Sequence, residues 1–133
     1  MSRLDNVTAK DYMSTELLTF TPDMEMMTAI NQLAKRRISG APVLDGSGRI
    51  VGILSEKDCL KVCIAAGYEG VPGGLVQEYM SSKVVTVDAD ASLLEVASLF
   101  VNSPFKRLPV MKNGRLAGQI SRSDVLRAVN DLC

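Results

Sequence analysis

The chain has 133 residues, 47% hydrophobic and 23% charged, the balance of an ordinary globular domain rather than of a disordered or fibrous chain. Fifteen basic and fifteen acidic residues cancel to zero net charge, so no basic field exists to hold a nucleic acid backbone or an anionic membrane. Apolar runs such as "VCIAA" are too short to span a bilayer, and "MSRLDNVTAKDYM" has charges where a secretory leader needs its apolar region; the reading is cytoplasmic, with neither nucleic acid nor membrane as partner.

Residues 1–8 form a lead-in. "ELLTFTPD" is then a short, β-rich run that predicts a strand and ends in residues suited to capping a helix. From Met26, Ile30, Leu33 and Ala34 recur at helical spacing, and Lys35, Arg36 and Arg37 fall in the last turn, where cations favour the helix dipole. Of the methionines 24–27, Met27 is expected in the core. "APVLD" and "RIVGIL" predict a hairpin across Asp45-Gly46-Ser47-Gly48, and "EKDCLKVCIAAG" a closing helix. The Gly/Pro-rich stretch within 67–76 reads as a linker.

After the linker the same order returns. "KVVTVDAD" predicts a strand, Ser92-Leu93-Leu94-Glu95 opens a helix with a capping box through Val96, Phe100 and Val101, and Pro104 stops it. "LPVMK" and "RLAGQI" flank Asn113-Gly114, the strongest signal for a two-residue hairpin turn. "SDVLRAVNDL" closes the copy as a helix.

The repetition reaches individual letters. Met13-Ser14 answers Met80-Ser81, Thr19 answers Thr86, Pro42-Val43 answers Pro109-Val110, and "GRIVGILSEKD" answers "GRLAGQISRSD". The chain therefore divides into repeats at 9–66 and 77–133. Each half alone would bury too little surface, so the two are expected to share one module. The fold class is α/β (α+β): two βαββα repeats packed sheet to sheet with pseudo-twofold symmetry, leaving clefts between the copies.

Catalytic chemistry finds little support. The chain has no His, no glycine-rich phosphate loop and no metal-ligand constellation; Cys59 and Cys63 lie four apart on one helix but lack partners for zinc, so small core residues are their expected role.

The pattern of a capped helix, apolar-Pro-Val, a hairpin and Gly-x-apolar-Ser-x-x-Asp, written twice, closely resembles the cystathionine-β-synthase (CBS) domain, and the tandem resembles a Bateman module. The resemblance covers about Ala9 to Leu132. It implies a noncatalytic sensor that binds an adenosine-containing ligand (AMP, ADP, ATP or S-adenosylmethionine) between paired repeats, dimerises, and acts on a separate enzyme or transporter. The alternative is a structural dimerisation or docking module with empty clefts.

Ser55 with Asp58, and Ser121 with Asp124, place a hydroxyl and a carboxylate where a strand meets a helix N-terminus. Such a carboxylate can accept hydrogen bonds from a ribose diol. Ser-x-x-Asp is equally a capping box, and the two roles are compatible. Lys106 and Arg107 precede one Pro-Val and Ser39 and Gly40 the other; in the family this segment borders the ligand, so the basic pair suits a phosphate, unless it is a solvated loop pair. Thr19, Thr86, Val85, Ala41, Pro42, Leu108, Pro109, Ile53 and Ile120 are the candidates around an adenine, most of them equally at home in a core. With no Trp and 5% aromatics, backbone groups rather than ring stacking would select the base.

Overall fold

The computed structural model describes residues 3–67, 70 and 73–133. Both hairpins form. β1 (Gly40–Leu44) pairs antiparallel with β2 (Ile50–Ser55), setting Gly40 opposite Ser55. β4 (Arg107–Lys112) pairs with β5 (Arg115–Ser121), setting Arg107 opposite Ser121. The second turn is the tight one: Asn113 (φ 53°) and Gly114 (φ 77°) both adopt the left-handed region, as a two-residue hairpin of this twist requires. In the longer turn the Asp45 carboxylate accepts from the Ser47 and Arg49 amides at 2.8 and 3.0 Å.

The leading strands are shorter than expected. β3 (Val87–Asp88) runs parallel to β4, giving a three-stranded sheet in the order β3-β4-β5. In the first repeat pairing shrinks to one parallel bridge, Phe20 to Val43, beside the two-stranded β1-β2 sheet. The reason is a single missing donor. Ala89 extends the second ladder by donating to the Met111 carbonyl at 2.8 Å, and its counterpart in the first repeat is Pro22, which has no N–H.

α2 (Met26–Arg36) buries Met26, Ala29 and Leu33. Met27 is 41% exposed and Ala34 is exposed as well, so the core phase of this helix runs through Met26, one residue earlier than expected. α5 (Leu93–Val101) is capped by Ser92, whose Oγ accepts from the Glu95 amide at 3.2 Å, and it buries Leu93, Val96 and Phe100 while Val101 points to solvent. Only the serine half of that capping box forms. The closing helices are α3 (Glu56–Ala66), which buries Cys59 and Val62, and α6 (Arg122–Leu132), which buries Val125 and Ala128. Cys63 lies on the exposed side of α3, contrary to its expected core role, because the buried stripe follows 59 and 62. In the linker expected over 67–76, Tyr68, Glu69, Val71 and Pro72 lie outside the described residues.

The residues gather into two compact units, one of residues up to 17 with 85–133, the other of residues 18–84. Each unit thus takes its lead segment from the other repeat. In the first unit α1 (Ala9–Tyr12) is stitched to the second repeat by Ala9 donating to the Ala91 carbonyl (2.9 Å) and Ser14 exchanging bonds with Gln119 (2.8 and 2.9 Å). In the second, α4 (Val76–Tyr79) follows the same plan, with Ser81 and Ile53 exchanging bonds at 2.9 Å each. The Met13 side chain lies on Gly118 and the Met80 side chain on Gly52. This contact explains why both hairpins spare a glycine and both leads a methionine.

A Cβ at position 52 would sit 2.5 Å from Met80 Sδ and 3.0 Å from the Ser81 carbonyl oxygen. Gly52→Ala is therefore expected to cost about 1–3 kcal/mol by overpacking. Met80→Ala in the same chain should relieve part of it, so urea unfolding of both single variants and the double variant should give a clearly non-additive cycle; strict additivity would remove the proposed contact.

Candidate functional site

Each hairpin ends in a corner where its last residue becomes the cap of the following helix. Ser55 Oγ accepts from the Asp58 amide at 3.2 Å, and Asp58 Oδ2 accepts in return from the Ser55 amide and hydroxyl, both at 2.9 Å. Ser121 Oγ accepts from the Asp124 amide at 3.1 Å, and Asp124 Oδ2 accepts from the Ser121 amide at 2.8 Å. Both motifs are thus complete capping boxes, which satisfy helix N–H groups otherwise left without acceptors. The cap uses one carboxylate oxygen and leaves the other for a second role.

The strand register brings the segment before each Pro-Val to the same corner. The Ser39 carbonyl accepts from the Glu56 amide at 2.8 Å, and the Lys106 carbonyl accepts from the Arg122 amide at 3.1 Å. Gly40 is required by close approach, since a Cβ there would meet the Leu54 carbonyl oxygen at 2.9 Å. Arg107 has a buried Nε with no hydrogen-bond partner among the described residues, whereas Lys106 is exposed. A buried N–H without an acceptor is costly, so it marks a place where an external acceptor is wanted.

The remaining sequence-derived residues separate. Ala41, Pro42, Leu108, Pro109 and Ile120 are buried, with Ala41 in one unit's core and Leu108 and Ile120 in the other's, while Thr19, Ile53 and Val85 are half-buried. Thr86 is exposed and lines an open groove of about 500 Å³ with Asp88, Glu95, Ser98, Leu99 and Asn102 on its walls. None of Arg107, Ser121 and Asp124 lines it. Its charged walls are carboxylates, which suit no phosphate.

Two features escaped sequence reasoning. Arg122 donates to the Phe100 and Ser103 carbonyls at 3.4 and 3.1 Å, fastening the loop after α5 to the start of α6. Arg127 bonds Asp124 and also reaches the Tyr12 carbonyl, 115 positions away in the chain. The first half of that link was visible as an i, i+3 pair; the second lies beyond any local pattern.

Among the described residues no group of three or more His, Cys, Asp or Glu is placed to hold a metal ion, and no helix is long and apolar enough to cross a membrane. Burial pushes the Cys59 thiol up to about 11, with Asp58 adding to the effect. At pH 8 only about one molecule in a thousand carries its thiolate. Labelling with a thiol-reactive disulfide should therefore show the exposed Cys63 and Cys133 reacting promptly and Cys59 far more slowly; three equal rates would contradict this burial.

Comparison with known proteins places the chain. The CBS domain family matches at 9–65 and again at 76–131, so the chain belongs to the CBS-domain family and carries the domain as a tandem pair. It is 28% identical over 120 residues to an uncharacterised 17.7 kDa protein of Acidianus ambivalens, covering 90% of this chain and 71% of that one. It is 27% identical over 122 residues to the A-adding tRNA nucleotidyltransferase of Aquifex aeolicus, covering 92% of this chain but only 14% of the enzyme. Among solved structures, CBSX2 in complex with AMP, a CBS-pair protein known from Arabidopsis thaliana, superposes with a TM-score of 0.81 at 26% identity, covering 94% of this chain and 97% of that one.

Proposed function

We propose that this tandem CBS pair is a noncatalytic regulatory module that binds an adenosine-containing ligand at its Ser-x-x-Asp corners, and that the ligand carries a phosphate. The observation that carries the reading is Arg107, whose buried Nε lacks an acceptor on a strand register that faces Ser121. A phosphate oxygen supplies such an acceptor, and a guanidinium can grip it with two parallel bonds. The half-buried carboxylates of Asp58 and Asp124 supply acceptors for a ribose diol. CBSX2, similar over nearly the whole chain, is a protein whose structure holds AMP. ADP and ATP share the phosphate and fall within this class, S-adenosylmethionine has none and falls outside it, and titration separates them.

AMP at 100 times its dissociation constant should stabilise the protein by about 2.7 kcal/mol, read as a rise in melting temperature. Arg107→Ala should weaken AMP binding about tenfold or more while leaving adenosine binding nearly unchanged. Equal losses for the two ligands would remove the phosphate assignment, and a flat response to every adenosyl compound would favour a docking module with empty sites.

The proposal includes a second copy of the chain and a separate enzyme or transporter as the regulated partner. Leu60 and Ile64 on α3 and Leu126 on α6 are exposed, with Leu60 and Leu126 at matching positions of the two repeats, a repeated apolar surface suited to a symmetric dimer. Sedimentation velocity should give a dimer for the natural chain and a monomer for Leu60→Glu; a monomer in both cases would overturn the dimer.

A further inference from the structure

The two corners share a sequence motif and a cap geometry, yet they differ at the oxygen a ligand would need. Cap formation consumes Oδ2 in both aspartates. Asp58 Oδ1 has no hydrogen-bond or ion-pair partner among the described residues. Asp124 Oδ1 accepts from Arg127 Nη1 at 3.1 Å.

Arg127 is itself held to Tyr12 at two points. Its Nη2 donates to the Tyr12 carbonyl at 3.0 Å, its guanidinium carbon lies 5.4 Å from the centre of the Tyr12 ring, and Tyr12 is fixed in turn by its hydroxyl donating to Asp131 Oδ2 at 3.1 Å. Stacking and a forked geometry are properties of arginine that lysine lacks. The equivalent positions in the unit of residues 18–84 are Lys61 for Arg127, Tyr79 for Tyr12 and Ala65 for Asp131. The ring is kept, but the fork is replaced by a point charge and the ring's anchor is lost. Neither Lys61 nor Tyr79 bonds Asp58 among the described residues.

We infer that Arg127 acts as a latch on the second corner, so that the two ribose contacts are unequal: Asp58 is the carboxylate that takes the ribose diol more readily, and Asp124 takes it against competition from Arg127. This assignment rests on the adenosyl-binding reading above. A diol approaching Asp58 finds an unspent oxygen, whereas at Asp124 it must share the oxygen with a guanidinium or displace it. The Arg127 side chain is 54% exposed and that of Asp124 16%, so the pair is partly screened and the latch is a bias rather than a block, worth a factor of up to about five. The difference ranks the sites without closing the second.

Calorimetric titration of the full chain with adenosine, which offers the ribose diol but no phosphate for Arg107 to grip at the second corner, tests this. The natural chain should show one tighter and one weaker event. Asp58→Asn, which keeps an acceptor for the cap, should remove the tighter event, and Asp124→Asn should remove the weaker one. Arg127→Met lies on the surface, leaves both caps intact, and should tighten the weaker event by up to about fivefold. Two events of equal affinity in the natural chain, loss of the tighter event in Asp124→Asn, or a weaker second event in Arg127→Met would each overturn the ranking while leaving nucleotide binding in place. The absence of binding by adenosine and AMP alike, with every variant still melting cooperatively, would overturn the binding reading itself and this inference with it.

Discussion

The contact on which the rest depends is a methionine laid across a glycine. Met13 covers Gly118 and Met80 covers Gly52, and in each case the following serine is locked to the hairpin by a pair of backbone bonds. A side chain at either glycine would push the lead segment off its strand. Removing the lead would take Ala9, with Tyr12 and Met13, from the core of one unit, or Val76, with Tyr79 and Met80, from that of the other. The hairpin must also hold its register for Arg107 to face Ser121 and Gly40 to face Ser55. The small residue in the middle of each second strand thus governs both the closing of a unit and the position of its corner.

At each corner one carboxylate serves two purposes. It closes the first turn of a helix, and in the binding mode we propose it is also the acidic group offered to the ribose. Because the cap needs only one oxygen, stability and binding do not compete for the same lone pairs, and evolution is free to tune the second oxygen through its neighbours. Arg127 and Lys61 are two outcomes of that freedom at equivalent positions. The geometry of the cap is preserved in both copies while the surroundings of Oδ1 diverge.

Much of this was legible in the chain itself. Asn113-Gly114 specified its turn, Ser92 its helix start, and the doubled Ser-x-x-Asp its corners, because each of these is a local rule with a local physical cause. What escaped was whatever depended on partners far away. The glycines and methionines were visible as an echo, but identical echoes cannot say whether Met13 belongs with Gly52 or with Gly118. The faint leading strand traces to the missing N–H of Pro22, a signal that was present and outweighed by the β-rich residues before it. The core phase of α2 was displaced because Met26 and Met27 are chemically the same, and one position on a helix is a turn of about 100°. The Arg127 link to Tyr12 joins opposite ends of the chain and has no local signature.

The exchange of lead segments also sets an order of events during synthesis. Residues 18–84 find their core partners among themselves, so that unit can close while the rest of the chain is still being made. The segment before residue 18 emerges first and completes last, since Ala9 and Ser14 bond to Ala91 and Gln119. Closing those loops spans some eighty to a hundred residues and carries a correspondingly larger entropic cost than any hairpin. The bonds of Ala9 and Ser14 therefore wait until the second repeat has been made.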